Sequence, residues 1–199
     1  MNYNYNSMEI LINEISKMPG IGKKTARRLA FYLLKTPYKE INKLIDSIII
    51  IKQKIKYCKI CFHITEQEIC NICQNPQREN SIICVVESSN DLMAIESSKG
   101  YNGVYHVLMG VISPLEGIDI SDLKIDSLLQ RVKEHKPKEI IIATNPDSEG
   151  EFTANYLLKI LKPFDIKISR IARGIPIGGE IEYSDYATLS KSFQGRTEI

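Results

Sequence analysis

The sequence lacks any apolar run near the roughly 18–20 residues needed to cross a bilayer. Its longest, Leu29 to Leu34, is bounded by Arg28 and Lys35. The N-terminus, MNYNYNSMEI, has no basic stretch followed by an apolar one, so it does not read as a secretory signal. These two absences make a cytoplasmic protein with no membrane partner the expectation. An excess of either charge is also missing: 26 Lys and Arg face 24 Asp and Glu, for a net charge of +2. Taken whole, that balance gives no hint of a nucleic-acid partner. Repeats and low-complexity tracts are absent apart from an Asn/Tyr alternation at residues 2–6. The pattern GxxxxGK[ST] is absent as well, because Gly22-Lys23-Lys24 fails it, so no nucleotide P-loop is expected. What is present is ordinary globular composition, 43% hydrophobic and 25% charged, which excludes a chain disordered throughout. The 199 residues suffice for one large domain or two to three small ones.

The charge balance hides a division. Residues 1–59 carry 12 basic and 4 acidic side chains, a net of +8, and residues 60–199 carry 14 and 20, a net of −6. Such asymmetry suggests different partners for the two parts.

The pattern of apolar residues divides the chain further. Residues 7–51 read as helical. Ile10, Leu11, Ile15 and Met18 suit a first helix stopped by Pro19-Gly20, and Ala26, Leu29, Ala30, Leu33 and Leu34 give a second its apolar stripe. Thr36 is the expected N-cap of a third, with Pro37 in its first turn and Ile41, Leu44, Ile45, Ile48 and Ile49 on its inner face. Residues 52–80 lose this periodicity and hold four of the five cysteines. From residue 81 onward strands (82–86, 103–108, 139–143, 166–171) alternate with helices (91–97, 121–134, 149–161). That alternation predicts a parallel sheet covered by helices. The Gly- and Pro-rich end, 172–199, reads as extended with a short helix near 186–193. The fold class is therefore multi-module α/β: residues 1–53 a helical hairpin module, 54–80 a cysteine module, 81–176 the sheet domain and 177–199 the C-terminal segment.

Three motifs carry chemistry. Cys58-Lys-Ile-Cys61 and Cys70-Asn-Ile-Cys73 form two CxxC pairs separated by eight residues. In a reducing compartment such pairs point to a tetrahedral zinc, with ligands Cys58, Cys61, Cys70 and Cys73. Four thiolates leave no open position, so one structural zinc per chain is expected, with His63 a spare ligand. The module has little core of its own, so metal binding would supply folding free energy on the order of 10 kcal/mol. Free buried thiols or two redox pairs are the competing readings. Cys84, inside an apolar strand, reads as a small core residue.

Met18-Pro-Gly-Ile-Gly-Lys-Lys-Thr-Ala26 lies between two expected helices. Gly20 and Gly22 permit a tight turn that exposes backbone N–H groups beside a helix N-terminus. Lys23, Lys24, Arg27 and Arg28 start that helix, where cations oppose the macrodipole at a cost of about 0.3–1 kcal/mol each. A phosphate partner accounts for that placement, and such contact is sequence-independent and salt-sensitive. Lys23 and Arg27 share a face and rank first, Lys24 follows, and Arg28 is expected to pair internally. A merely solvated basic helix end is the alternative. The motif resembles the helix–hairpin–helix DNA-binding element.

Val85-Val-Glu87 ends one expected strand, and Ala143-Thr-Asn-Pro-Asp-Ser-Glu-Gly-Glu151 joins another to a helix. Carboxylates at the C-terminal ends of parallel strands converge on the usual functional crevice. Glu87, Asp147 and Glu149 or Glu151 would offer hard oxygen ligands to Mg²⁺. Equally, Asp147, Glu149 and Glu151 would favour the positive N-terminus of the following helix. The set resembles a Toprim domain, the module of topoisomerases, primases and some nucleases. Asn145 stands where that pattern has its first Asp, and Ser148 where topoisomerases have Arg, which weakens any Mg²⁺ site.

In order, these parts resemble the RecR family of bacterial recombination mediators over nearly the whole chain. Further support comes from His106-Val-Leu-Met-Gly-Val-Ile-Ser-Pro-Leu-Glu-Gly117, from Ala143-Thr-Asn-Pro and from Ile171-Ala-Arg-Gly-Ile-Pro-Ile-Gly-Gly179. Family members usually have Gly where Met109 stands. The resemblance implies a non-enzymatic DNA-repair role, acting with RecO and RecF to load RecA onto single-stranded DNA. It implies a dimer or a ring-shaped tetramer that encircles single- or double-stranded DNA, and hence a nucleoid-associated protein. By motif position it maps DNA binding onto Lys23 and Arg27. It maps partner contact onto the Toprim face, here Glu87, Asn145, Asp147, Glu149 and Glu151. The Arg-Gly-Ile-Pro segment resembles the family's Walker B-like region and, without a Walker A, reads as structural or interfacial. A Mg²⁺-dependent Toprim nuclease or nicking enzyme is the alternative function.

Overall fold

A computed structural model describes residues 6–198 as two units, one ending at Ile55 and one starting at Lys56. Residues 2–5 of the Asn/Tyr alternation, and the start of the segment compared with signal peptides, lie outside the described residues. No helix among the described residues is long and apolar enough to cross a membrane.

The first unit has three helices, α1 (Asn6–Ser16), α2 (Lys23–Lys35) and α3 (Tyr38–Lys54). A tight turn joins α1 to α2, with the Ile21 amide donating to Met18 O at 3.0 Å and Gly20 at φ 77°. Its core is Ile15 on α1 against Ala26 and Ala30 on α2, with Ile12, Ile21 and Leu33 around them. The two alanines, one turn apart, let the helices approach closely. Three expectations need correction. Leu29 and Leu34 are exposed, because they flank the Ala26–Ala30 line instead of lying on it. Thr36 caps the end of α2, its hydroxyl donating to Tyr32 O at 2.9 Å, and Pro37 takes the N-cap of α3. Pro37 has no side-chain acceptor to offer the first-turn amides, so α3 starts without a side-chain cap. The inner face expected of α3 is not buried: Leu44, Ile45, Ile48 and Ile49 remain 45–52% exposed. With Leu11 and Ile15 the first three line an open apolar groove of about 1340 Å³.

The second unit begins with a short antiparallel pair, β1 (Lys56–Tyr57) and β2 (Ile64–Thr65), and one helical turn, α4 (Asn71–Gln74). The main sheet follows, with β3 (Glu79–Val86), β4 (Gly103–Val107), β5 (Glu139–Ile142) and β6 (Lys167–Arg170). All strands are parallel, in the order β4-β3-β5-β6. Connecting helices are α5 (Ser89–Ser98), α6 (Ile125–His135) and α7 (Ser148–Leu161), and α8 (Tyr186–Gln194) closes the chain. The expected parallel α/β sheet is present. β3 starts at Glu79 because its polar first residues pair with β4 across an irregularity, which apolar patterning does not signal. Ser88 and Asp91 start α5 with a reciprocal capping box.

Alternation along the strands sends residues to two cores. Ile83, Val85, Val104, Ile140 and Ile142 pack against Leu128 and Val132 of α6 and Leu157 and Leu161 of α7. Cys84, Val86, Tyr105 and Val107 face Leu92 of α5, with Phe62 and Ile72 of the cysteine module beside them. Cys84 is the core residue expected, its thiol pushed up to about 12 by burial.

Met109 follows β4 in the left-handed region, at φ 67°. That conformation costs a residue with a Cβ about 1–2 kcal/mol, which is the physical sense of the glycine usual there. Met109→Gly should raise stability by about 0.5–1 kcal/mol in denaturant unfolding; a loss would mean that the Met109 side chain holds the turn.

His106 is fully buried on β4, with Nε2 2.8 Å from Lys124 O and Nδ1 without a partner. Burial lowers its pKa to about 4. Above about pH 6.5 the imidazole is neutral in both folded and unfolded chains. Between that pH and the folded value the unfolded chain takes a proton that the folded chain refuses. Stability therefore falls with falling pH across this window, by as much as about 3 kcal/mol. His106→Gln should flatten that part of the unfolding free energy against pH; an unchanged slope would assign the acid lability elsewhere.

Candidate functional site

Gly22 precedes α2 without a side-chain cap, and the first bond of the helix is from the Ala26 amide to Gly22 O at 2.9 Å. The amides of the first turn therefore face outward, at the positive end of the dipole. Lys23, Lys24, Arg27 and Arg28 are all exposed around them. With Lys35 they line one depression of about 950 Å³ whose single acid is Glu9. Phe31 and Tyr32 also border it. Arg28, expected to pair internally, makes no ion pair among the described residues. The contributions of Arg28, Lys35 and the two aromatic rings were missed in the sequence, although they recur at helical spacing from Lys24 and Arg27.

The four cysteines converge as their spacing predicts. Their sulfurs all lie within 4.8 Å of one another, with Cys58, Cys61 and Cys70 buried and Cys73 half-buried. Cys61 Sγ and Cys70 Sγ are 3.5 Å apart, against about 3.8 Å for thiolates at the corners of a zinc tetrahedron. The first knuckle is closed by the Phe62 amide donating to Cys58 O, with Phe62 at φ 62°, and the Cys70 amide donates to Cys58 Sγ at 3.3 Å. An all-sulfur, largely buried donor set fits zinc and leaves no position for substrate, so the site is a structural zinc centre. His63, the spare candidate, is not in the set.

This module closes the edge of the main sheet. The Val107 amide of β4 donates to Cys61 O at 2.8 Å, and Arg131 donates to Tyr105 O at 2.7 Å. Phe62 meets His106 edge-on at 5.4 Å, and Lys124 lies 5.7 Å over the Phe62 ring. Arg78, just beyond the module, pairs with Glu96 of α5, which also accepts from the Tyr105 hydroxyl at 2.6 Å.

The crevice lies where the connections from β3 and β5 diverge, the switch point of the sheet. Glu87, 9% exposed, accepts from the Asn145 amide at Oε1 and from Asn145 Nδ2 at Oε2, both at 2.6 Å. Desolvation pushes its pKa up, partly offset by those bonds. Asp147 caps α7 through the Gly150 amide at 2.7 Å. Glu149 accepts from the Ser113 hydroxyl, and Glu151 pairs with both Arg170 and Arg173. The strand-end positions thus bring Glu87 and Asn145 together and give the other three acids separate partners. This set does not fit Mg²⁺: both oxygens of the buried carboxylate already have donors, and of the remaining acids Asp147 is a helix cap, Glu149 accepts from a hydroxyl and Glu151 is ion-paired. The roles of Ser113, Arg170 and Arg173 were missed because their partners, Glu149 and Glu151, lie far away in sequence, although Ser113 and Arg173 sit in quoted motifs.

Helical hairpin, four-cysteine zinc centre and parallel sheet together define a modular α/β protein of the Toprim type. Comparison with known proteins resolves the family. The chain matches the family models for the RecR helix-hairpin-helix over residues 8–51 and for the RecR four-cysteine zinc finger domain over 55–75. It also matches those for the Toprim domain over 81–172 and the RecR C-terminal region over 174–197. It is 47% identical over 205 residues to Recombination protein RecR of Chloroherpeton thalassium, covering 100% of both chains. It is 45% identical over 192 residues to that of Cutibacterium acnes, covering 96% of each. The chain belongs to the RecR family of recombination proteins, as its motifs implied.

Zinc loss should reach beyond the cysteines. Stripping the metal, or Cys73→Ser, is expected to abolish hydrogen-exchange protection of the Val107 amide together with the knuckle at 58–62. Full protection of Val107 in zinc-free protein would separate the metal from the sheet.

Proposed function

We propose that this chain is a non-enzymatic mediator of recombinational repair that holds DNA without reading its sequence. In this reading it works with RecO and RecF to load RecA onto single-stranded DNA, in the cytoplasm and at the nucleoid. The observation that carries the proposal is the hairpin depression. Lys23, Lys24 and Arg27 stand beside outward-facing amides with Glu9 the one acid among the lining residues, a surface complementary to backbone phosphate in single or double strands. Four modules divide the work, residues 1–53 for DNA, 54–80 for zinc, 81–176 for the Toprim fold and 177–199 as the C-terminal segment.

The apolar groove along α1, α2 and α3 supports an oligomeric clamp, a dimer or a tetrameric ring. Its isoleucines and leucines are half-exposed, and a second copy of the same face is the occupant that would cover them. The Toprim residues Glu87, Asn145, Asp147, Glu149 and Glu151 form the side offered to protein partners. Their internal hydrogen bonds and ion pairs argue against the nuclease alternative, which needs carboxylates free to hold Mg²⁺.

Lys23→Ala with Arg27→Ala should weaken DNA binding by about 10–100-fold at low salt and reduce the log–log salt slope by about 2. Equal losses on unrelated sequences are expected. Unchanged affinity and slope would move the DNA contact elsewhere, and Mg²⁺-dependent nicking of supercoiled DNA, lost in Asp147→Asn, would replace the mediator by an enzyme.

A further inference from the structure

Glu87 presents a problem of charge. It is a buried carboxylate, and among the described residues it makes no ion pair. Arg170, close enough to feel its field, is paired instead with Glu151. A buried carboxylate without a cation must be held by hydrogen-bond donors. Here one residue supplies them to both oxygens, Asn145 through its backbone amide and its side-chain amide, each at 2.6 Å. The pair ties the end of β3 to the loop between β5 and α7. Gly150 packs against it: a Cβ there would lie 2.8 Å from Glu87 Oε1 and would clash with the Asn145 carbonyl oxygen. Asp147, whose charge also raises the Glu87 pKa, sits on the same loop with one oxygen capping α7.

We infer that the Asn145 side-chain amide occupies the place a divalent cation would take between Glu87 and the β5–α7 loop, which makes the crevice independent of Mg²⁺. The amide does two things a cation would do. It neutralises the need of Glu87 for a donor, and it fixes the distance between two strand ends. An aspartate at 145 would leave Glu87 the backbone donor alone, since its side chain has no proton to donate at neutral pH and would add like charge beside Glu87 and Asp147. Such a site would regain the lost link when a cation bridges its carboxylates. One atom group, amide or carboxylate, thus decides whether this switch point needs metal. The inference concerns the crevice alone and stands or falls apart from DNA binding.

The experiment uses the full, zinc-loaded chain without chelator. Thermal unfolding is followed with and without millimolar Mg²⁺, and Mn²⁺ uptake is read by electron paramagnetic resonance. The wild type should show the same Tm in both buffers. Asn145→Asp should lose about 3–8 °C in Mg²⁺-free buffer. Added Mg²⁺ should restore that loss, and this variant should bind one more Mn²⁺ per chain than the wild type. Asn145→Ala should lose stability that Mg²⁺ does not restore. A folded Asn145→Asp chain that gains no Mn²⁺ would overturn the inference. So would a wild-type Tm that rises with Mg²⁺ and no longer does so in Glu87→Gln. Should Asn145→Asp fail to fold in either buffer, the other arms decide: Asn145→Ala at the wild-type Tm overturns the inference, and a Mg²⁺-insensitive loss sustains it.

Discussion

The hydrogen bond from the Val107 amide to the Cys61 carbonyl joins the zinc cluster to the sheet, and much of the second unit follows from it. β4 is an edge strand, and an open edge invites pairing with another chain. Here the edge is covered by a zinc knuckle, by the Arg131 guanidinium on Tyr105 O and by the Phe62 ring against His106. The same strand sets the crevice. Val107 pairs with Val86, the Leu108 amide donates to Val86 O, and the Gly110 amide donates to Glu87 O. The cysteine module on one edge therefore connects to the backbone from which Glu87 projects through β4 alone, with no flexible linker.

The two charge zones are handled in opposite ways. Cations at the start of α2 oppose the helix dipole and, with Glu9 the one acid lining their depression, make no ion pair among the described residues, so their energetics improve when an anion arrives. The crevice acids are each satisfied within the fold, by an amide, a helix start, a hydroxyl or a guanidinium. A surface whose groups are already bonded gains little from capturing an ion, but it is preorganised. Docking onto it orders few side chains, which lowers the entropic cost of association.

Local patterns made the zinc ligands, the Gly20 turn and the alternating strands and helices legible in the sequence, because spacing alone determines them. The family was legible for the same reason. What was not legible depends on distant partners. Ser113 meets Glu149 and Arg173 meets Glu151 across separations that no motif encodes. Thr36 looked like a helix start because threonine before proline fits that role, yet its hydroxyl found the carbonyl one turn behind it. The isoleucines of α3 announced a face that needs cover, and periodicity does not say what covers it. Met109 shows a different limit: no side-chain pattern signals a left-handed φ.

The zinc centre and the Glu87–Asn145 pair serve the same end by different chemistry. A closed tetrathiolate offers no coordination site, and a carboxylate bonded at both oxygens offers no free ligand. Each fixes two chain segments at a set distance, and neither leaves a reactive atom exposed. Both of these polar centres are closed in this way, and what stays open among the described residues is surface. Those surfaces are the cationic depression of the hairpin, the apolar groove beside it and the exposed loop at the crevice that carries Asn145 and Asp147. Each has a chemistry suited to a different class of partner.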